Sequence, residues 1–216
     1  MNQKQQLNEA LVQAAKDGNF DDVRRLVEQG ADVNYGEIRP FITPLLWAYF
    51  NGHKEIVKYL LSNGGEVNYD KFDEGTLLTS AAFNGDAAFI PDLLEAGAAA
   101  NHPMPQGGET ALHHAADTSQ TAAARALIEG GADVNRRAGH GLSALNFGRF
   151  AQETPLHVAA VRSKADFILT LLDAGADKTA QNANGLTPLA LAAQAGRPED
   201  ILNLLIPFLL DDKALF

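Results

Sequence analysis

The sequence predicts an all-α solenoid of stacked helix-turn-helix units, and three observations carry that prediction. The stretch 110–135, TALHHAADTSQTAAARALIEGGADVN, reads as two short antiparallel helices joined by a turn. Leu112, Ala115 and Ala116 give the first helix an apolar face, and Ala124, Leu127 and Ile128 do the same for the second at helical spacing. Gly130 and Gly131 follow. A residue without a Cβ takes the left-handed conformation that ends a helix at little cost. Such a pair is too small to bury its own apolar faces, and the rest of the chain supplies copies to lie against it.

The copies run in register. With Thr110 as the zero position, its equivalents are Glu9, Thr43, Thr76, Thr154 and Thr187, spaced by 34, 33, 34, 44 and 33 residues along the whole series. Two places on stand Leu11, Leu45, Leu78, Leu112, Leu156 and Leu189. Five places on stand Ala14, Ala48, Ala81, Ala115, Ala159 and Ala192. Seventeen places on stand Leu26, Leu60, Leu93, Leu127, Leu171 and Leu204. Twenty-one places on stand Gly30, Gly64, Gly97, Gly131 and Gly175, with Phe208 in the last copy.

On these residues the chain resembles the ankyrin repeat family. The motif Thr-Pro-Leu-His-x-Ala is intact at Thr154, Pro155, Leu156, His157 and Ala159, and nearly intact at 43–48, 110–115 and 187–192. The resemblance covers essentially all of the chain. It implies an L-shaped stack in which helix pairs lie side by side and hairpin-like fingers project at right angles. It also implies that the histidine three places after the zero position hydrogen-bonds and holds the finger.

The repeats make one expected domain, 1–216, divided at 2–34, 35–68, 69–101, 102–135, 136–179 and 180–216. The first opens on a polar start, Asn2 to Gln6, that suits a solvated end cap. The second carries Trp47, Tyr49 and Phe50. Tyr49 stands where Ala82, Ala116, Ala160 and Ala193 stand elsewhere, so either the stack opens locally or the ring points outward. In the third, Pro91 belongs in the first turn of the second helix, where an amide has no helical partner to lose. The fifth begins with an inserted finger, 136–153, RRAGHGLSALNFGRFAQE. The last ends in ILNLLIPFLLDDKALF, apolar for an outer cap; a short helix after Pro207 with Leu215 and Phe216 folded back over the last repeat is expected.

Composition narrows the function. A net charge of −10 repels nucleic acid and anionic membranes and favours a protein partner with a basic surface. There is no cysteine, hence no disulfide and no thiolate chemistry. The start of the chain lacks a signal-peptide apolar region and no uncharged apolar run is long enough to span a bilayer, so cytoplasmic location without membrane contact is expected. A monomer is expected rather than a homodimer.

No catalytic, cofactor or metal site is expected. His113 and His157 sit at the finger-holding position; His114 is the odd one and faces the groove. No His-x-x-x-His spacing supports zinc. The Asp-Val-Asn corners at 32–34 and 133–135 recur with the repeat, and Asn and Asp bond their own backbone at such turns. Gly139, His140 and Gly141 lack the spacing of a phosphate loop.

Two surfaces remain. The family's concave groove is lined seven and eight places after each zero position, among others by Phe50 and Asn51, Phe83 and Asn84, Asp117, and Arg162. The resemblance implies that such positions contact partners. Tyr35, Tyr69 and Phe72 cluster with Phe50 and Phe83, and exposed aromatics are favoured anchors. Trp47 either joins them or fills the stack. The inserted finger adds Arg136, Arg137, Phe147 and Arg149. The reading is a non-enzymatic protein-binding module. A narrower alternative is an inhibitor or immunity protein that neutralises a toxin or enzyme. A disfavoured one is a small enzyme with 136–153 as its lid.

Overall fold

A computed structural model describes residues 2–36, 42–68, 75–104, 107–139 and 152–207. Among these residues stand twelve α-helices and no strand. They alternate as the first and second helices of successive repeats, so the all-α repeat fold that the columns predict is the fold observed. The chain divides into two compact units, Met1–Phe72 with Glu95–Ala98, and Asp73–Leu94 with Ala99–Phe216.

The first unit contains α1 (Gln3–Asp17), α2 (Phe20–Glu28), α3 (Pro44–Phe50) and α4 (Lys54–Ser62). Asn2 caps α1 by accepting the Gln5 N–H at 2.8 Å. Thr43 caps α3, whose first residue is Pro44, a position where the missing amide costs nothing. α1 packs on α2 and α3, and α3 on α4. The core between them is Leu11, Ala15, Val23, Leu45, Ala48, Ile56, Val57 and Leu60, all buried. Phe20 meets Tyr59 edge-on at 5.4 Å. Gly18 ends α1 at φ +78, and a Cβ there would come within 2.5 Å of the His53 ring.

The second unit contains α5 (Leu77–Asn84), α6 (Ile90–Glu95, its last residue counted in the first unit), α7 (Ala111–Asp117), α8 (Thr121–Glu129), α9 (Pro155–Arg162), α10 (Ala165–Asp173), α11 (Pro188–Gln194) and α12 (Glu199–Leu205). The first helices form one row, α5 on α7 on α9 on α11, and α8, α10 and α12 form a second. Ala82, Ala116 and Ala160 are fully buried in the first row, because only a small side chain lets neighbouring helices approach so closely. Pro91 is the second residue of α6, inside its first turn as expected. Gly130 and Gly131 have separate reasons to be glycine. Gly131 is left-handed at φ +88, whereas a Cβ on Gly130 would lie 2.2 Å from the Leu94 Cδ1. The last repeat departs from the sequence columns: Leu205 is fully buried and Leu204 only half-buried.

Corner asparagines join one repeat to the next. Asn34 donates to Gly64 O at 2.9 Å and accepts the Glu66 N–H at 2.7 Å. Asn101 treats Gly131 O and the Asp133 N–H in the same way, at 3.0 and 2.7 Å. Asn135 does so with Gly175 O and the Asp177 N–H, at 3.0 and 2.8 Å. Asn68 donates to Gly97 O at 2.9 Å. The self-bonded corner expected from the sequence holds for the aspartates, since Asp32 and Asp133 each accept the N–H two residues on. It does not hold for the asparagines, whose amides carry both a donor and an acceptor and spend them on the following corner.

Candidate functional site

Short helices with one fully buried side force their remaining residues outward, and the candidate residues follow from that. In the first unit, α3 buries Leu45 and Ala48, so Phe50 stands 51% exposed with Asn51 beside it. Tyr49 is half-buried, its ring 5.8 Å from that of Phe50 at 61°. Of the two outcomes foreseen for Tyr49, neither is complete: the ring is part in the stack and part on the surface. Trp47 is half-buried, and the Lys16 ammonium sits 4.4 Å from its ring centroid, a cation–π contact. The Asn51 amide donates to Lys16 O at 3.3 Å and to Trp47 O at 3.1 Å, which fixes it between the ends of α1 and α3. Tyr35 is half-buried and its N–H donates to Asp32 O at 3.1 Å.

In the second unit, α5 presents Phe83, 46% exposed, and Asn84, also exposed. Phe83 is backed by His114, edge-on at 6.3 Å. His114 is itself half-buried, with its Nε2 2.9 Å from the Met104 Sδ. The Thr118 hydroxyl donates to Phe83 O at 3.0 Å. Further along the same row, Arg162 of α9 pairs with Asp117 of α7 at 2.9 Å. The Asp117 side chain is only 6% exposed and that of Arg162 43%, so the arginine covers the aspartate and the aspartate holds it in place. Sequence spacing placed both residues at the surface but did not show that one covers the other.

The inserted finger is described only at its two ends. Arg136 and Arg137 are exposed, and Arg137 donates to Gln181 O. The Ala138 N–H donates to Glu153 O at 2.8 Å, closing the base of the insertion. The same closure joins Met104 to Glu109 and Asn182 to Leu186 in two other fingers, at 2.7 and 2.9 Å. Tyr69, Phe72, Phe147, Arg149 and the remainder of the finger, 140–151, lie outside the described residues, as do Phe41 and 208–216.

The finger-holding histidines stand where the resemblance implied. The Thr110 N–H donates to His113 Nδ1 at 3.1 Å, so the proton is on Nε2, which donates to Glu153 O at 3.0 Å. His157 repeats the pattern with Thr154 and Leu186 O, at 3.2 and 3.0 Å. Burial lowers the His113 pKa to about 4, helped by the positive charges of His114, His157 and Arg136 and opposed by the Glu153 hydrogen bond. Burial also lowers His157 and pushes the Glu153 carboxyl up. Among the described residues no group of three His, Cys, Asp or Glu is placed to hold a metal ion, and no helix is long and apolar enough to cross a membrane.

A family model described as ankyrin repeats, in three copies, matches residues 1–73, 45–138 and 138–211. An ankyrin repeat protein of Fowlpox virus (strain NVSL) is 36% identical over 110 residues, which cover 50% of this chain and 32% of that protein. The E3 ubiquitin-protein ligase XBAT33 of Arabidopsis thaliana is 34% identical over 109 residues, 50% of this chain and 21% of that protein. The chain thus spans a third or less of the length of these relatives. A crystal structure of an ankyrin repeat domain from Acinetobacter baumannii AYE superposes with a TM-score of 0.76 at 24% identity, covering 90% of this chain and 95% of that one.

Proposed function

We propose that this chain, which belongs to the ankyrin repeat family, is a non-enzymatic cytoplasmic module that binds a protein partner. Ankyrin repeats are in general protein–protein interaction modules. The observation that carries the reading here is the pair of exposed phenylalanines, Phe50 and Phe83, each on a helix whose other side is fully buried. An aromatic ring held in place by a packed helix loses little freedom on binding, so its apolar area counts almost fully toward affinity. Arg162, steadied by Asp117, adds a directional polar contact within the second unit.

The charge of −10 favours a basic partner and speeds its approach at low salt. It is also what supports the narrower reading, an inhibitor or immunity protein with one cognate target. The test is affinity capture from the cells that encode the chain, with the wild type beside separate Phe50→Ala and Phe83→Ala variants. One dominant basic protein, held by the wild type and weakened at least tenfold by one substitution at unchanged melting temperature, supports the reading. Equal capture by the wild type and both variants sinks it for these side chains. Many weak partners count against the inhibitor version. For Phe147 and Arg149, deletion of 140–151 leaves the closed base of the finger intact, and unchanged affinity removes the finger from the site.

A further inference from the structure

The chain has two methionines, Met1 and Met104, and no cysteine. Met104 is half-buried in the finger of the fourth repeat, and its own backbone holds it there. Its N–H donates to Glu109 O at 2.7 Å, and its carbonyl accepts the Gly108 N–H at 2.9 Å. From this anchored backbone the side chain reaches the start of α5 and the middle of α7. Its methyl lies against Gly75, where a Cβ would come within 3.2 Å of Cε, one residue before the Thr76 that caps α5. Its sulfur lies 2.9 Å from His114 Nε2 on α7. A thioether sulfur has lone pairs and no proton, so the imidazole is the donor in this contact.

That bond helps set where the His114 ring sits, and the ring stands behind Phe83, edge-on at 6.3 Å. The sulfur is also open to chemistry, because a chain without thiols presents its thioethers to any peroxide that reaches it. Hydrogen peroxide passes one oxygen to the sulfur lone pair. The O–O bond breaks, sulfur gives up two electrons, and the second oxygen leaves as water with both protons. The oxidised sulfur stops accepting, and the new oxygen is a polar, stronger acceptor on a side chain that was apolar. An oxygen that accepts from Nε2 at about 2.8 Å does not fit into a sulfur–nitrogen gap of 2.9 Å. The ring must retreat to keep the bond or turn away without it, and either movement takes the backing from Phe83.

We propose that Met104 is a peroxide-oxidation site whose sulfoxide displaces His114 and unseats Phe83. Only its consequence, release of a partner under oxidising conditions, rests on the reading of Phe83 as a binding anchor. The full chain is treated with hydrogen peroxide, and peptide mapping locates the added oxygen. The ring signals of His114 and Phe83 are followed by NMR, each assigned by its loss in His114→Gln and Phe83→Ala. The expected result is oxygen on Met104, shifted His114 and Phe83 signals, and an unshifted His53 signal from the first unit. A methionine sulfoxide reductase is expected to return both shifted signals to their places. Met104→Leu, close in volume, is expected to show no peroxide-dependent shift. The proposal is overturned if Met104 stays unoxidised while free methionine in the same tube is oxidised, or if it is oxidised and neither ring signal moves. Peroxide-dependent shifts that persist in Met104→Leu overturn it too, as does loss of helical circular dichroism on oxidation. No partner enters these measurements. Failure here leaves the anchor reading standing, and equal capture by Phe83→Ala leaves the oxidation site standing.

Discussion

At His113 the imidazole gives up its ordinary titration in order to hold two stretches of backbone at once. Burial keeps its pKa near 4 in the folded chain, below the ordinary 6.5 it regains on unfolding. The unfolded chain therefore binds this proton first as pH falls. The contribution of the neutral ring is complete above about pH 6.5 and is lost progressively down to about pH 4. The whole span is worth about 3 kcal/mol, at about 1.4 kcal/mol per pKa unit. His157 is shifted in the same direction. The expected outcome is a urea midpoint that drops steadily from pH 7 to pH 4.5, with a shallower drop in His113→Asn. Parallel slopes for the two proteins would show that some other group carries the acid sensitivity. The left-handed Gly131 makes a second residue-scale expectation. Gly131→Ala places a Cβ in open space but in a conformation that L residues avoid, so a loss of about 1 kcal/mol in chemical denaturation is expected from the backbone alone.

Among elements, the corner asparagines do the work of a strand pairing with a single side chain. Removing one leaves a carbonyl and an N–H of the next corner to the solvent, so Asn101→Ala is expected to cost about 1–2 kcal/mol. A denaturation series that places the cost below about 0.3 kcal/mol would show that water replaces both bonds without loss. The helix pairs themselves are legible in the sequence because leucine and alanine recur in fixed columns and those columns are the buried ones. The asparagine bridges are not legible. An asparagine that turns its own corner and one that grips the following corner occupy the same register, and the partner lies a full repeat away. The Asp117–Arg162 pair is hidden for the same reason. The shift from Leu204 to Leu205 escapes the column count because it arises in the last helix among the described residues, where no described helix pair follows.

Across the whole chain, stability in a repeat array is close to a sum of contacts between neighbours, and no single core commits the molecule to fold as one piece. Each neighbour contact can therefore open on its own. The asparagine column runs Asn34, Asn68, Asn101 and Asn135, and then Thr179 stands in its place. A threonine hydroxyl is too short to act as donor and acceptor at once across a corner, and Thr179 instead bonds within its own corner, its hydroxyl donating to Asp177 at 2.7 Å. The final helix pair hangs on its apolar contacts, on His157, on Lys178 and on Arg197, which donates to Val161 O at 2.7 Å and to Ser163 O. Unravelling should then start at the carboxyl end: amide protons of α11 and α12 should exchange with deuterated solvent before those of α7 and α9, and Thr179→Asn should slow them.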